Sequence, residues 1–128
     1  IGHMDSLRQV INSGRFATIQ VPYNLLNPSA GESVSSEFTE VDYGNVMKDC
    51  TSRNMGVFAI RVLAGGALAG QPPSQHTYKT KFFPLDLYRR DQQRGERINE
   101  LLGRSGTLRE QSVRFVLSHP HISSAIIG

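Results

Sequence analysis

The sequence predicts an α/β fold on a small parallel sheet, because a helical pattern followed by a β-like run occurs three times along the chain. The runs 16–21, 57–63 and 123–127 have the length of strands, and the middle one is apolar almost throughout, as in strands covered on both faces. Parallel neighbours need connections that cross over the sheet. We therefore expect about three parallel strands with the helices outside them.

The first unit begins with a helix that Asp5 or Ser6 can cap. Gly14 suits the left-handed position after the last turn of such a helix. The strand 16–21 comes next, and Pro22, which has no N–H to donate, is expected to end it. The residues that the helix is expected to bury are Leu7, Val10 and Ile11.

The second unit follows a polar stretch, 27–39, which is predicted to be a loop. Its helix is predicted for 42–53, and its strand leads into a glycine-rich turn at 64–70. The stretch 71–84 is then predicted to be a loop, and it is longer than a plain connection in a compact domain. The residues that the helix is expected to bury are Tyr43, Val46, Met47 and Cys50.

Two helices precede the third strand. The first is predicted for 86–102, although Gly95 weakens its middle by up to ~1 kcal/mol. Its expected buried residues are Leu87, Ile98, Leu101 and Leu102. The second helix begins at Thr107, because Thr107 and Glu110 have the spacing of a capping box. Its expected inner face consists of Leu108, Ser112, Phe115 and Val116.

Composition excludes several classes of function. The net charge of +3 is spread over interspersed basic and acidic residues, so neither a basic run nor nucleic-acid binding is predicted. Cys50 is the one cysteine, which excludes an internal disulfide and favours the reducing cytoplasm. The apolar stretch 56–70 is interrupted by Arg61 and is too short to span a bilayer. Residues 1–4 are interpreted as an expression-tag remnant, which leaves one domain over 5–128.

The remaining reactive side chains predict no catalytic or metal site. The histidines lack the i, i+4 spacing with an intervening carboxylate that helical zinc sites use. The tyrosines have no Lys or His close in sequence to lower their pKa. Cys50 lies on an apolar stripe and is expected to pack as a small hydrophobe. The other side chains given packing, surface or capping roles are Tyr23, Tyr43, His76, His119 and His121.

Three stretches together resemble the sixth, seventh and eighth strand units of the aldo-keto reductases. They are 17–26 (ATIQVPYNLL), 56–70 (GVFAIRVLAGGALAG) and 112–117 with 125–128 (SVRFVL and AIIG). Their order and spacing make the resemblance specific, and it spans nearly all of 5–128. That family folds as a (β/α)₈ TIM barrel, which takes about 250 residues. The resemblance therefore implies the C-terminal half of such a barrel, a partial TIM barrel.

The resemblance implies an oxidoreductase that transfers a hydride between NAD or NADP and a carbonyl or alcohol carbon. In this family the catalytic Asp, Tyr, Lys and His lie on the first four strands, to which this chain has no matching positions. We therefore expect no catalytic residues and no turnover in the chain alone. Cofactor binding is expected to be weak or absent, since the residues that hold the adenosine end would begin after 128. A non-catalytic half-barrel that associates with itself is the second candidate, and a nucleotide-phosphate binder that uses the glycine turn alone is the third.

The resemblance also assigns cofactor-binding residues. Gln20 resembles the glutamine that hydrogen-bonds the nicotinamide carboxamide, which needs both a donor and an acceptor. A polar side chain that fills the barrel interior is the alternative. Leu63, Gly65 and Gly66 resemble the turn along the pyrophosphate, where glycine permits close approach of the backbone. A plain turn between strand and loop is the alternative.

The chain departs from the family pattern at Ile60 and Arg61. Many members have an aromatic residue there, which stacks on the nicotinamide, followed by Ser. Arg61 either contacts a cofactor phosphate with its planar fork of donors or is a charge on the rim. The partners implied for the intact parent are the nicotinamide cofactor and a carbonyl substrate.

Overall fold

A computed structural model describes residues 4–79, 84–103 and 106–127. In chain order the elements are α1 (Met4–Asn12), β1 (Thr18–Pro22), α2 (Val46–Ser52), β2 (Gly56–Ile60), a 3₁₀ segment (Ala64–Ala69), α3 (Gln75–Lys79), α4 (Leu85–Leu102), α5 (Leu108–Leu117) and β3 (Ser124–Ala125). The predicted alternation of helix and strand is confirmed, with the 3₁₀ segment and α3 added after β2.

The strands form one parallel sheet in the order β1-β2-β3. Thr18 of β1 pairs with Gly56 of β2, and Phe58 of β2 pairs with Ser124 of β3. The α/β class and the parallel strands are therefore confirmed. β1 and β3 are the two edges of this open sheet.

Helices cover one face of the sheet. Val57 and Ala59 of β2 are fully buried there with Val21 of β1, whereas Phe58 and Ile60 on the other face are half-buried. The apolar run of β2 predicts burial on both faces, and that prediction is wrong for the second face. The helical residues of the core are Ile11, Val46, Met47, Cys50 and Val116, from α1, α2 and α5.

The helix α4 packs mainly on the 3₁₀ segment. Tyr88 is fully buried in this second cluster with Ala67 and Leu68. A Cβ at Gly95 would lie 3.5 Å from the carbonyl oxygen of Ala67. The nearest atom to such a Cβ would be Leu108 Cδ2 at 3.3 Å, so the glycine that was expected to weaken α4 lies where this helix is in tight contact with α5.

Two positions predicted to be buried are exposed. Leu101 is 88% exposed and Val10 is 42% exposed, so both predictions are wrong. The buried residues of α4 are Tyr88, Asp91 and Gly95, which define the inward face of the helix. At 100° per residue, Leu101 lies about 110° around the helix from the centre of that face.

Left-handed backbone conformations change the bounds of two elements. Gly44 has φ 59° and Asn45 has φ 52°, so α2 begins at Val46 and not at position 42. Arg61 has φ 56°, which breaks the extended conformation and ends β2 at Ile60 and not at position 63. Neither departure was visible in the hydrophobic pattern.

Other local predictions have mixed outcomes. Gly14 is left-handed with φ 65°, as predicted. The capping box is confirmed, since the N–H of Thr107 donates to Glu110 Oε2 at 2.9 Å and the N–H of Glu110 donates to Thr107 Oγ1 at 3.3 Å.

The predicted loop 71–84 contains α3, and its positions 80–83 lie outside the described residues. Met4, interpreted as part of a tag remnant, begins α1 and packs partly against the core.

The third strand is shorter than predicted. β3 comprises only Ser124–Ala125, although the N–H of Ile126 still donates to the carbonyl oxygen of Ala59 at 2.8 Å. Position 128 lies outside the described residues.

Candidate functional site

Four of the five predicted site residues line one cavity at the carboxyl end of β2. Arg61, Leu63, Gly65 and Gly66 surround a volume of about 200 Å³. The other lining residues are Val62, Ile126 and Ile127. We call this space the glycine cavity.

Gln20, the fifth predicted site residue, is not among the residues that line the glycine cavity. It lies on β1 in register with Phe58 of β2. Its side chain is exposed, and it shares the half-buried face of the sheet because alternate residues of a strand point to the same side. The amide therefore faces the side of the sheet that the helices leave open.

The backbone around the glycine cavity is unusual. Ala64, Gly65 and Gly66 have φ values of 51°, 70° and 108°, all left-handed. A Cβ at Gly66 would lie 3.0 Å from the hydroxyl oxygen of Tyr88. Glycine at 66 is thus required both by its backbone conformation and by this close approach.

The hydrogen bonds of this segment limit what its N–H groups can bind. The N–H of Gly66 donates to the carbonyl oxygen of Leu63 at 2.9 Å, and the N–H of Ala64 donates to that of Arg61 at 2.8 Å. These two donors are used inside the turn. A phosphate in the glycine cavity would therefore depend more on the side chain of Arg61 than on these backbone donors.

Asn24 fixes the backbone at Arg61, and sequence reasoning assigned it no role. Its side chain is buried, and Nδ2 donates to the carbonyl oxygen of Arg61 at 2.9 Å. Its Oδ1 accepts from the N–H of Leu26 at 2.9 Å and from that of Asn27 at 3.0 Å. An Asn just beyond a strand is a signal for such a turn, but it does not indicate the partner across the sheet.

A second cavity adjoins the first, because Arg61 lines both. It has a volume of about 310 Å³ and lies at the carboxyl ends of β1 and β2. Its ionisable lining residues are Tyr43, Glu40, Asp91, Arg61, Arg90 and Arg94. We call it the arginine cavity.

Two carboxylates and two arginines of the arginine cavity form one network. Glu40 lies 2.9 Å from Arg90 and 3.1 Å from Arg94. Asp91, which is buried, lies 3.2 Å from Arg90 and 3.6 Å from Arg94. The network joins the segment before α2 to α4. Sequence reasoning missed it, since Glu40 lies some fifty positions from its partners along the chain and no local pattern connects them.

Tyr43 is held protonated in this environment. Burial raises the pKa of its phenol because the phenolate would lose solvation, while the positive charge of Arg61 offsets part of that effect. The shift moves the pKa further from neutral pH, where the hydroxyl of any ordinary tyrosine is already protonated and can donate.

The side chains predicted to pack do so. Tyr23 is fully buried and stacks on Phe115 with ring centroids 5.2 Å apart. Burial raises the pKa of Tyr23, and the nearby carboxylate of Glu32 raises it further. Burial, with the negative charge of Asp49, also raises the pKa of Cys50 to about 11, so this thiol is a neutral core group.

His119 lies just after α5, and both of its ring nitrogens have hydrogen-bond partners. The N–H of His121 donates to its Nδ1 at 3.2 Å, so that nitrogen carries no proton. Its Nε2 lies 3.1 Å from the carbonyl oxygen of Gly31 and must donate to it. Both ring nitrogens thus hold two loops together, as the predicted role at the helix end requires.

Comparisons with known proteins add no assignment, since the chain matches no protein-family model and no curated protein at a significant level. Within 4–79, 84–103 and 106–127, no three His, Cys, Asp or Glu side chains converge in a way that could hold a metal ion. No helix in the described part of the chain is long and apolar enough to cross a membrane.

Proposed function

We propose that this chain is the cofactor-side half of an aldo-keto reductase barrel, whose parent transfers a hydride between NADP or NAD and a carbonyl or alcohol carbon. One observation supports the proposal most. Arg61, Leu63, Gly65 and Gly66, which the sequence resemblance assigns to the cofactor, line a single cavity. That cavity lies at the carboxyl end of a parallel strand, where α/β folds usually bind their ligands.

The glycine cavity fits part of a dinucleotide. Its volume of about 200 Å³ is smaller than the roughly 300–1,000 Å³ of pockets that enclose a whole small molecule. A diphosphate is a better match than the complete cofactor. Arg61 supplies a guanidinium for a phosphate oxygen, while the N–H of Gly66 is already bonded within the turn. We therefore expect weak but saturable binding.

Gln20 is the residue proposed to orient the nicotinamide end. Its amide offers a donor and an acceptor, and it is exposed on the half-buried face of the sheet. The bound cofactor would supply the hydride-transfer chemistry, and these residues would position it. The acid that protonates the carbonyl oxygen is not among them. We therefore expect the chain alone to show no turnover.

Titration with NADPH, followed by the fluorescence of the nicotinamide, tests this proposal. We expect Gln20→Leu to weaken binding about tenfold, the cost of one lost hydrogen bond. The matched control is Gln9→Leu, at an exposed position on α1, which should leave the affinity unchanged. Absence of saturable binding, or equal affinity of all three proteins, would contradict the proposal.

A self-associating half-barrel is the second candidate. β1 and β3 are open edges, and Ile126 and Ile127 beyond β3 are 45% and 51% exposed. Unpaired edges and exposed apolar side chains favour association. Light scattering should show a dimer that Ile126→Lys weakens and that Leu117→Lys, on the exposed side of α5, does not. A monomer at every concentration would rule this candidate out.

A further inference from the structure

We propose that the substrate of this reductase carries an oxyanion, a carboxylate or a phosphate, and that the arginine cavity binds it through Arg61 and Tyr43. The inference rests on the proposed function, because it takes the reacting carbonyl to lie beside Gln20. It adds a substrate class, which neither the sequence resemblance nor the fold specifies.

The charge of the arginine cavity favours an anion. Three guanidinium groups line it against two carboxylates, which leaves one net positive charge among the described lining residues. Both carboxylates already contact Arg90 and Arg94. An incoming cation would have to compete with those contacts, whereas an incoming anion can accept hydrogen bonds from the guanidinium donors that line the cavity.

The donors of the cavity match the acceptors of an oxyanion. A guanidinium has five N–H donors, so Arg61 can bind a carboxylate or phosphate oxygen in addition to another partner. Tyr43 lines the same cavity, and its hydroxyl, like that of an ordinary tyrosine, is protonated at neutral pH and able to donate. Carboxylates and phosphates accept hydrogen bonds from both kinds of donor.

The backbone holds Arg61 in place before any ligand binds. Its left-handed φ of 56° is uncommon for a residue other than glycine, and such strain occurs more often at binding sites. The side chain of Asn24 donates to its carbonyl oxygen at 2.9 Å and secures this conformation. A donor fixed in advance loses less entropy when the ligand binds.

The arginine cavity lies at a suitable distance from the proposed reaction centre. Pro22 lines the cavity and follows Gln20 by two residues on the same face of β1. Two residues of a strand span about 7 Å. A small substrate can therefore place its carbonyl near Gln20 and its oxyanion at Arg61.

Titration of the ¹⁵N-labelled chain with malonate and, separately, with inorganic phosphate tests the inference. Sodium chloride should keep the ionic strength constant, so that general screening does not contribute. We expect saturable shifts of the Arg61 side-chain N–H signal with at least one of the two anions, and the arm that binds more tightly identifies the anion class. Arg61→Met should weaken this binding at least tenfold, and Tyr43→Phe several-fold. Because Arg61 lines both cavities and Tyr43 only the arginine cavity, an anion whose binding Arg61→Met weakens and Tyr43→Phe does not would lie in the glycine cavity and would overturn the inference.

The control is Arg97→Met, which removes an exposed arginine from α4 outside the cavity and should leave binding unchanged. If Arg61→Met does not fold, the effect of Tyr43→Phe on anion binding tests the inference by itself. Equal weakening in all variants, or no saturable shift in the unmodified chain, would overturn the inference. Binding of NADPH without binding of either anion defeats this inference alone. Binding of an anion without binding of NADPH defeats the proposed reductase, and with it the substrate assignment.

Discussion

The buried side chain of Asn24 donates a hydrogen bond of 2.9 Å to the backbone carbonyl oxygen of Arg61 and so joins the carboxyl ends of β1 and β2. The same amide accepts from the N–H groups of Leu26 and Asn27. Asn24 therefore holds the strained connection from which both cavities are built.

Replacing this side chain should destabilise the protein. We expect Asn24→Ala to lower the free energy of unfolding by about 2 kcal/mol, because the N–H of Leu26 loses its partner, and the carbonyl of Arg61 and the N–H of Asn27 each lose one of two hydrogen bonds. Asn99→Ala, at an exposed position on α4, should change it by less than about 0.5 kcal/mol. Urea denaturation measures both values. Equal effects would show that Asn24 does not hold the connection.

Gly66 and Gly70 form a matched pair for testing the packing of the glycine-rich segment. Both are left-handed, but a Cβ at Gly66 would lie 3.0 Å from Tyr88 Oη, whereas one at Gly70 meets nothing within 4 Å. Gly70→Ala should cost about 1 kcal/mol for the backbone alone. Gly66→Ala should cost roughly 2–3 kcal/mol, since the contact adds to the backbone strain. Thermal unfolding of the two variants measures both losses of stability. Equal losses would show that the contact with Tyr88 does not restrict position 66.

The network around Glu40 should stabilise the protein in a salt-dependent way. Glu40→Gln removes the charge that contacts Arg90 and Arg94, and we expect a loss of about 1 kcal/mol at low salt. In about 1 M salt the loss should shrink, because these side chains are partly exposed and are screened. Glu37→Gln, at an exposed position of the same segment, is the control. A loss that is independent of salt would argue against an ionic origin.

The capping box predicts a pH dependence of stability. The pKa of Glu110 is lowered in the folded chain, first by the hydrogen bond from the Thr107 N–H and then by that from its hydroxyl. A carboxyl whose pKa is lower when folded stabilises the fold above its unfolded pKa, and this contribution is lost as the pH falls through the folded value. Glu110→Gln should therefore reduce stability at neutral pH and match the unmodified chain in strong acid. Urea midpoints across the acidic range measure this; a constant difference between the two proteins would contradict it.

Periodic and local signals predicted much of the fold. The alternation of helix and strand, the left-handed Gly14 and the capping box at Thr107 are as predicted, because each depends on residues close in sequence. Four residues that the sequence resemblance grouped line the glycine cavity, and their proximity already follows from their places within positions 61–66.

The predictions from the sequence differ from the structure where tertiary contacts or left-handed backbone conformations determine the local structure. β2 ends early because Arg61 is left-handed, and its hydrophobic pattern continues past that point. In the arginine cavity, Glu40 contacts Arg90 and Arg94, which lie some fifty residues further along the chain. No periodic pattern in the sequence predicts a contact between residues that far apart. Asn24 was missed for the same reason, since its partner Arg61 lies just after the neighbouring strand β2, 37 positions along the chain.

The most direct test of the central claim is an amide-resolved titration of the chain with NADPH. Binding at the glycine cavity predicts saturable shifts of the amide signals of Gly65 and Gly66 together with the side-chain amide of Gln20. All three should follow one binding curve. The absence of saturable shifts, or shifts confined to other parts of the chain, would contradict a cofactor site at the carboxyl ends of these strands.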